Sequence, residues 1–218
     1  MNETGAVEAG TMVIKPEPQD WELAREVHAL FAAKVGATHI ASDFALAHLA
    51  ALLRQRPITS VAEFGSGIGT ITYLLLKRLP RGTRIVCAER DAWCRQQFDQ
   101  NIPAAERDRI ELMPEGRPVH RNTFDLIVID GPIGQEAPFA HEGSIVFVEG
   151  NRATAWSRLQ PDLARRGLAC TLTHYPARGF RIRWRMSRFG LSLPSLGIQK
   201  GCWIGVVRRG GESPPHAA

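Results

Sequence analysis

Three glycines at alternate positions join a short apolar strand to an amphipathic helix, within the segment VAEFGSGIGTITYLLL at residues 61–76. Glycine adopts a positive φ easily and lets a ligand approach the backbone closely. The N–H groups at the start of the following helix are unpaired and attract an anionic group. The segment therefore predicts a strand, a ligand-binding turn through Gly65, Gly67 and Gly69, and a helix that begins at Thr70. A tight turn without a ligand is the alternative.

An acidic residue follows the next predicted strand, RIVCA, at residues 84–88. Glu89 stands 24 residues after Gly65. In dinucleotide-binding folds a carboxylate in this position accepts hydrogen bonds from ribose hydroxyls. The alternative is a solvent-exposed charge paired with Arg90. Asp91 is better explained as the cap of the next helix, since Asp is a preferred N-cap residue.

A third candidate lies in FDLIVIDGP at residues 124–132, which is apolar on both faces as a central parallel strand should be. Asp130 follows this strand at its carboxyl end, where open α/β sheets place their ligand sites. A carboxylate there can orient a cationic ligand group, ligate a metal or act as a base. The alternative is that Asp130 only caps a turn.

Short strands and helical segments alternate along the chain, a pattern typical of a parallel sheet with helices on both faces. Because no helical periodicity lies between Ala177 and Cys202, we expect the last strands to run antiparallel. The predicted fold class is α/β, a doubly wound and mostly parallel sheet. Predicted helices cover 20–35, 42–55, 70–79, 91–101 and 153–165, and predicted strands cover 60–64, 84–88, 109–113, 124–129, 144–148, 168–174, 180–186 and 202–207. Asp20 and Ser42 are the predicted N-caps of the first two helices.

Composition divides the chain into one domain with two tails. The Gly- and Pro-rich ends, 1–19 and 210–218, predict flexible tails. Between them, 20–209 is predicted to form a single domain, with 20–56 as a helical cover and 57–209 as the sheet core. A length of 218 residues and a hydrophobic fraction of 44% suit one such domain.

Five segments together resemble the class I S-adenosylmethionine-dependent methyltransferases over roughly residues 42–175: SDFALAHLAALL, VAEFGSGIGTITYLL, RIVCAERD, FDLIVIDG and GSIVFVEGN. The helix before the glycine segment and the IDG after the fourth strand are closest in pattern to the small-molecule O-methyltransferases. The resemblance implies a seven-stranded Rossmann-like sheet with an antiparallel last strand. It also implies S-adenosyl-L-methionine as the cofactor.

The resemblance assigns roles to individual residues. Glu89 would hold the ribose, Arg90 would flank the adenine, and Asp130 would lie near the transferred methyl group. The methionine part of the cofactor would be lined by residues of the glycine segment, namely Glu63, Gly65, Ser66 and Gly67, and Gly69 completes the predicted cofactor-binding set.

A divalent metal is found in the catechol-type members of that family, held by an Asp after the fourth strand and an adjacent Asp-Asn after the fifth. Asp130 matches the first position, but the second reads Glu149-Gly150-Asn151, with a glycine interposed. Oxygen ligands of this kind would suit Mg²⁺ or Ca²⁺. Because the pattern is broken, we expect no metal.

A neutral hydroxyl acceptor must lose a proton during methyl transfer, and three residues are candidate bases. His141 lies in the loop before the fifth strand, His174 at the end of the sixth, and Asp130 follows the fourth. Histidine titrates near neutral pH, which suits a base. Each histidine can equally be an ordinary surface residue.

Charge is distributed unevenly, with a net charge of −5 up to residue 150 and +10 beyond it. The segment FRIRWRM alternates apolar and basic residues, so one face of a predicted strand carries Arg181, Arg183 and Arg185. Such a face is either solvated or binds an anionic group of a substrate, another subunit or a nucleic acid. We assign it to substrate binding.

These features predict an enzyme, a methyltransferase acting on a small, anionic acceptor, with O-methylation favoured. An RNA or DNA methyltransferase that uses the arginine face is the first alternative, although no NPPY-type motif follows the fourth strand. A non-catalytic, cofactor-binding regulatory protein is the second. The glycine spacing argues against a nicotinamide-dependent oxidoreductase.

The four cysteines are widely spaced and form no CxxC pair, which predicts buried thiols in a reducing compartment: Cys87, Cys94, Cys170 and Cys202. No apolar run reaches the ~18 residues that span a bilayer, and the first residues do not resemble a secretory signal. We therefore expect a cytoplasmic protein with no membrane partner. A homodimer is left open.

Overall fold

The structure is a computed structural model that describes residues 12–113, 123–131, 139–150, 153–177, 180–186, 192–198 and 201–211, with the backbone alone for the strands over 180–186 and 192–198. The helices are α1 Pro18–Ala32, α2 Asp43–Gln55, α3 Thr70–Arg78, α4 Ala92–Asn101 and α5 Ala153–Arg165, with short 3-10 helices at Ala37–His39 and Ala104–Arg109. The strands are β1 Ser60–Phe64, β2 Arg84–Ala88, β3 Ile110–Leu112, β4 Leu126–Ile129, β5 Ile145–Glu149, β6 Leu168–Tyr175, β7 Phe180–Met186, β8 Ser192–Ile198 and β9 Cys202–Arg209. Within these ranges no helix is long and apolar enough to cross a membrane.

Seven of the described strands form one sheet, in the order β3-β2-β1-β4-β5-β9-β6. The first five strands of the chain pair in parallel, whereas β9 lies between β5 and β6 and runs antiparallel to both. The predicted α/β fold, a mostly parallel sheet with an antiparallel last strand, is confirmed. β7 and β8 form a separate antiparallel hairpin.

Apolar side chains cover both faces of the central strands, which is why these strands lie inside the sheet. On one face, Val61 and Val128 belong to a core shared with α1 to α4. On the other face, Ala62 and Ile127 share a core with α5. Helices therefore cover both faces, as a doubly wound sheet requires. The predicted helical cover corresponds to α1 and α2, which contact each other and α3.

Strand direction defines two edges of this sheet. β1, β2, β4, β5 and β6 point the same way, so they all end at one edge, which we call the carboxyl edge. They all begin at the opposite edge, which we call the amino edge. Ligand sites of open α/β sheets lie at the carboxyl edge.

The start of α1 differs from the prediction, which placed Asp20 as the cap of a helix over 20–35. Glu17 is the N-cap and Pro18 the first helical residue, a position that Pro suits because its φ is already helical. Asp20 lies in the first turn, where its Oδ2 atom accepts the Glu17 N–H at 2.9 Å. The helix ends at Ala32.

Residues 12–17 belong to the stretch that was expected to be a flexible tail, yet they pack on the domain. The Tyr175 hydroxyl donates to the Met12 carbonyl at 2.6 Å and accepts the Ile14 N–H at 2.9 Å. Ile14 is buried. The chain is therefore attached to β6 from residue 12 onward. The rest of that predicted tail, 1–11, lies outside the described residues.

The hairpin was predicted only in part. β7 has the predicted bounds, but β8 was not predicted. Pro194 and Gly197 interrupt the β8 segment, and both residue types are uncommon inside strands. Pairing with the regular β7 strand explains why the segment is nevertheless extended.

Candidate functional site

The loop between β1 and α3 lies at the carboxyl edge and contains the three predicted glycines, each with a positive φ: 87° at Gly65, 56° at Gly67 and 101° at Gly69. A Cβ atom on Gly65 would lie 2.6 Å from the backbone nitrogen of Gly131. Only glycine allows this approach, which brings the end of β4 against the loop. The Asp130 N–H completes the contact by donating to the carbonyl of the last residue of β1 at 2.9 Å.

Gly69 has different neighbours from Gly65. A Cβ atom on Gly69 would lie 3.1 Å from the Ile102 side chain and 3.2 Å from that of Phe98, at the end of α4. Gly69 therefore lets α4 pack against the start of α3. This packing explains the glycine without a ligand, and the predicted part of Gly69 in cofactor binding stays a prediction.

Glu89 lies in the turn after β2, and its carboxylate reaches the glycine loop. Oε2 accepts the Gly67 N–H at 2.8 Å, and Oε1 accepts the Asp91 N–H at 2.8 Å. The predicted acid and the predicted glycine turn are thus in direct contact across 22 positions of the chain. Asp91 caps α4 as predicted, since its side chain accepts the Cys94 N–H at 3.0 Å.

Arg90 follows Glu89 in the same turn, and its side chain is exposed. Arg95 of α4 fixes this turn, because its Nη1 atom donates to the carbonyls of Glu89 and Arg90 at 2.8 Å each. Arg90 therefore lies next to Glu89 with its side chain open to solvent. That position is compatible with the predicted role beside an adenine.

Glu63 lies on β1, and its side chain is completely buried under α3. Its Oε2 atom accepts the Thr72 hydroxyl at 2.6 Å and the Cys87 thiol at 3.7 Å. Burial raises the pKa of Glu63 to about 7, and the hydrogen bonds from Thr72 and Cys87 oppose this rise, while the negative charge of Glu89 adds to it. A carboxyl group with this pKa is protonated in about half of the molecules at pH 7.

Three buried polar atoms around the glycine loop have no hydrogen-bond partner: Glu63 Oε1, Ser66 Oγ and Thr70 Oγ1. Among the described residues, one other buried side-chain atom shares this property, Arg109 Nε. Folded proteins satisfy nearly all buried polar groups, so the unpaired atoms on β1, in the glycine loop and at the first residue of α3 leave hydrogen-bonding capacity for a ligand. A carboxyl oxygen suits an ammonium group and hydroxyls suit a carboxylate, and an amino acid carries both of these charged groups. These residues therefore fit the methionine part of the predicted cofactor.

Glu149 ends β5 at the same edge, two strands from the glycine loop. Its Oε1 atom accepts the Ser42 N–H at 3.3 Å and the Ser42 hydroxyl at 3.4 Å, so it anchors the start of α2. Asn151, the other residue considered as a metal ligand, lies outside the described residues. In the part of the chain that is described, no three His, Cys, Asp or Glu side chains form a group that could hold a metal ion. The expected absence of a metal stays a prediction.

His141 lies at the amino edge, opposite the glycine loop. Its Nε2 atom is 3.7 Å from Oδ1 of Asp125, the residue before β4. Asp125 also accepts the N–H of Thr59, the residue before β1, at 2.8 Å. At ~3.3 Å per residue, a strand of four or five residues places His141 about 13–16 Å from the loop. The structure therefore does not bring His141 to the glycine loop or to Asp130, and its predicted role as a base stays a prediction.

His174 lies near the carboxyl end of β6, which is the outermost strand on its side of the sheet. Its ring is exposed and stacks on Trp203, with ring centroids 4.1 Å apart. β5 and β9 separate β6 from β4, so His174 is displaced from Asp130 by about 14 Å across the sheet, at ~4.8 Å per strand. The fold does not bring these two candidate bases together.

The hairpin that contains the arginine strand lies near the turn that precedes α2. The β7 backbone is close to the 3-10 helix Ala37–His39, between α1 and α2. That turn adjoins the loop, since a Cβ atom on Gly36 would lie 3.4 Å from the Ile68 side chain. The side chains of the three predicted arginines lie outside the described residues: Arg181, Arg183 and Arg185.

Sequence reasoning missed three members of this site, Thr70, Thr72 and Cys87. Two signals were available. Cys87 is paired in register with Glu63 on the neighbouring parallel strand, so the two side chains share a face of the sheet. Thr70 and Thr72 are polar residues in the first turn of a helix that follows a glycine loop.

Comparisons with known proteins identify a fold. No family model matches the chain, and no curated protein matches its sequence. The O-methyltransferase TomG from Streptomyces achromogenes, solved with SAM, is 16% identical with a TM-score of 0.51, over 90% of this chain and 92% of that chain. An O-methyltransferase from Bacillus cereus, in complex with SAH, is 18% identical with a TM-score of 0.52, over 90% and 94%. The tRNA (m1A58) methyltransferase TrmI from Aquifex aeolicus is 12% identical with a TM-score of 0.55, over 83% and 75%.

At these low identities the similarity shows the fold. The chain has the Rossmann-like fold of the S-adenosylmethionine-dependent methyltransferases, shared by enzymes with different acceptors. The predicted resemblance to this class is confirmed at the level of the fold.

Proposed function

We propose that the chain is an enzyme that transfers a methyl group from S-adenosyl-L-methionine to a small acceptor with an anionic group, and that the methylated atom is an oxygen. The observation that carries this proposal is the contact between Glu89 and the Gly67 N–H. It joins a ribose-type carboxylate to a glycine loop around which three buried polar atoms have no hydrogen-bond partner. The two O-methyltransferases described above share this fold and were solved with SAM or SAH, which supports the same cofactor here.

The residues of the loop supply the contacts that this cofactor requires. Glu89 would accept hydrogen bonds from the ribose hydroxyls, and Arg90 would flank the adenine. When bound, the cofactor supplies an electrophilic methyl group on a positively charged sulfur. Its methionine part would be held by residues of the loop and the strand before it: Glu63, Gly65, Ser66 and Gly67.

Asp130 is the residue we place at the reacting end of the site. Its backbone contacts the glycine loop, and its side chain is partly exposed at the carboxyl edge. It can therefore orient a cation or accept the proton that a hydroxyl acceptor loses. His174 would serve only an acceptor that extends about three strands across the sheet. Holding donor and acceptor in line can supply about 7–11 kcal/mol of the barrier.

We propose that the reaction does not require a divalent metal. The one carboxylate near Asp130 on the next strand, that of Glu149, accepts two hydrogen bonds from Ser42. Binding a metal there would remove these bonds from the start of α2. Activity that is unchanged by a chelator such as EDTA is the expected result, and loss of activity that Mg²⁺ restores would contradict it.

We assign the anionic group of the acceptor to Arg181, Arg183 and Arg185. They alternate along β7, whose backbone lies near the turn beside the glycine loop. No acidic residue occurs between positions 163 and 211, so the hairpin sequence offers these arginines no carboxylate. Guanidinium groups bind carboxylate and phosphate with two parallel hydrogen bonds.

A nucleic-acid acceptor is the second candidate, favoured by the same arginines and by the similarity to a tRNA methyltransferase. It predicts an affinity for RNA or DNA that falls steeply with salt, because each neutralised phosphate releases counterions. Binding of a short RNA that weakens less than about tenfold between 50 and 200 mM salt argues for the small acceptor.

We place the protein in the cytoplasm. Its four cysteines are free and buried. Burial raises the pKa of the thiols of Cys87 and Cys202, and it raises the pKa of Cys170 to about 12. Thiols of this kind react slowly and suit a reducing compartment. The association of two copies into a homodimer stays a prediction.

Thermal unfolding in the presence of S-adenosylmethionine, S-adenosylhomocysteine and NADH tests the cofactor. A ligand at 100 times its Kd that binds only the folded chain stabilises it by about 2.7 kcal/mol. We expect this stabilisation with the first two compounds and none with NADH. The absence of a shift with both adenosyl compounds would contradict the proposal. A shift without methyl transfer to any hydroxyl acceptor would instead indicate a non-catalytic cofactor-binding protein.

A further inference from the structure

Glu63, Thr72 and Cys87 form a buried polar cluster at the base of the glycine loop. β1 supplies Glu63, β2 supplies Cys87 at the paired register position, and α3 supplies Thr72. The Thr72 hydroxyl lies 2.6 Å from Glu63 Oε2 and 3.5 Å from the Cys87 sulfur. All three side chains have 0% exposure. The Glu63 carboxyl group is therefore buried and is held in one orientation by Thr72.

Only one of the two carboxyl oxygens of Glu63 accepts hydrogen bonds within this cluster. Oε2 receives the hydroxyl and the thiol, whereas Oε1 has no hydrogen-bond partner. The neighbour on the other side of β1 is Val128, which is apolar. The titratable groups that act on Glu63 are Cys87 and Glu89, and both become negative when they ionise. No group in this set carries a positive charge that could pair with a negative charge on Glu63.

We propose that Glu63 carries a proton when the cofactor is absent and releases it when the ammonium group of the cofactor binds beside Oε1, with Thr72 as the positioning residue that holds the carboxyl group. In this step the O–H bond of the carboxyl group breaks, the proton passes to the solvent, and the carboxylate pairs with the ammonium group. The inference rests on the proposed function, since it requires an adenosyl cofactor at the glycine loop.

The surroundings of Glu63 favour its protonated form without the cofactor and its ionised form when the ammonium group is bound. Burial is the largest cause that raises the pKa of Glu63 to about 7, so the proton is only weakly bound at neutral pH. An opposite charge within ~4–6 Å lowers a carboxyl pKa by about 1–3 units. The Thr72 hydroxyl donates to the carboxylate and therefore favours the charged form. Binding of a cation is thus enough to remove the proton.

Titration calorimetry with S-adenosylhomocysteine tests the proposal, because this compound has the ammonium group but no sulfonium. The binding heat at pH 7 is measured in two buffers with different ionisation enthalpies, which gives the number of protons released. We expect release of roughly half a proton per site, and a Kd about tenfold larger at pH 6 than at pH 8. The Glu63→Gln variant should bind with no proton release and with a Kd that does not change over this pH range.

A matched pair of substitutions tests the positioning role of Thr72. Thr72→Val removes the hydroxyl at constant shape, so the pH at which affinity is half lost should rise by about one unit. Thr72→Ser keeps the hydroxyl, so its pH profile should match that of the wild type. A purely structural role of Thr72 would lower affinity at every pH without moving the profile, and that result would overturn its assignment.

The two proposals fail in different ways. If the wild type does not bind S-adenosylhomocysteine, the proposed function fails and this inference fails with it. If the wild type binds without proton release, or if Glu63→Gln releases as many protons as the wild type, the cofactor site stands and the inference is overturned.

Discussion

Two acidic side chains of the described residues, Asp20 in α1 and Glu63 in β1, have 0% exposure, and they are paired in opposite ways. Oδ2 of Asp20 accepts Arg54 at 3.0 Å, and Oδ1 accepts Arg78 at 2.9 Å. Its Oδ2 also accepts the Glu17 N–H. Glu63 receives a hydroxyl and a thiol but no cation, and one of its oxygens has no partner.

The difference separates a structural carboxylate from one that is available to a ligand. Removing a charge from water is costly, so a buried carboxylate is either paired within the protein or shifted toward its neutral form. Asp20 is paired within the protein, and its contacts with Arg54 and Arg78 connect α1 to α2 and α3. Glu63 is instead shifted toward its neutral form. Both carboxylates contact α3: Asp20 pairs with Arg78 at the end of this helix, and Glu63 accepts the hydroxyl of Thr72 in its first turn. One end of α3 is therefore fixed by Asp20, and the other borders the site.

The largest expected effect on the free energy of unfolding concerns Asp20, the structural carboxylate. Asp20→Ala leaves Arg54 and Arg78 without their shared carboxylate, and breaking such a buried pair typically costs about 3–5 kcal/mol. Urea denaturation measures this loss. Glu22→Ala, on the exposed side of the same helix, is the control and should change the free energy of unfolding little. Equal effects of the two substitutions would contradict the structural role of Asp20.

For Glu63 the comparison predicts that a neutral substitution raises the free energy of unfolding instead of lowering it. Its pKa is about 7 in the folded chain and ordinarily 4.5, so the folded state binds more protons between these values and the free energy of unfolding falls as pH rises through this window. Glu63→Gln lacks this penalty. The variant should be more stable than the wild type at pH 8 by about 3 kcal/mol, with the difference shrinking toward pH 5. Urea denaturation at several pH values checks this, and a less stable variant at pH 8 would contradict it.

Gly65 tests the packing of the loop on β4. Gly65→Ala forces a side chain to a positive φ and places its Cβ atom against the backbone of Gly131. Gly143→Ala imposes a similar φ, 94°, where no atom lies within 4 Å. We expect Gly65→Ala to lower the free energy of unfolding by about 2 kcal/mol more than Gly143→Ala. Identical losses would mean that the contact with Gly131 is not needed.

The smallest expected effect concerns Glu89, which borders the site without being buried. Glu89→Ala should weaken binding of S-adenosylhomocysteine by at least about tenfold, since a hydrogen bond to a charged group contributes about 1.5–3 kcal/mol. Its unfolding should stay close to that of the wild type. Glu111→Ala, which removes another strand-associated carboxylate that pairs with Arg84 on the surface, should leave affinity unchanged. Calorimetry of both variants provides the test, and unchanged affinity of Glu89→Ala would remove Glu89 from the ribose role.

Much of the fold could be predicted because the local signals agree with one another. Ser42 caps α2 as expected, and β1, β2, α5 and β7 have their predicted bounds. The errors occur where two signals compete. Asp20 was read as a cap because Asp favours that position, but Pro18 sets the helix start two residues earlier.

Site residues could be predicted from the sequence where they directly follow a parallel strand. Glu89 and Asp130 lie at the carboxyl edge because each follows a parallel strand. Its place in the loop before β5 suggested His141 as a base, but a local pattern does not show at which edge of the sheet that loop ends. A residue just before β5 must return to the amino edge, where parallel strands begin. The pairing of Glu63 with Thr72 depends on the packing of α3 on the sheet, which no local pattern specifies.

A crystal structure of the chain with S-adenosylhomocysteine tests the central claim most directly. We predict the ribose hydroxyls within hydrogen-bond distance of the Glu89 carboxylate and the amino group of the ligand beside Oε1 of Glu63. The Asp20 cluster should be unchanged in the same structure. A ligand bound away from the loop between β1 and α3, or one that contacts neither carboxylate, would contradict the account.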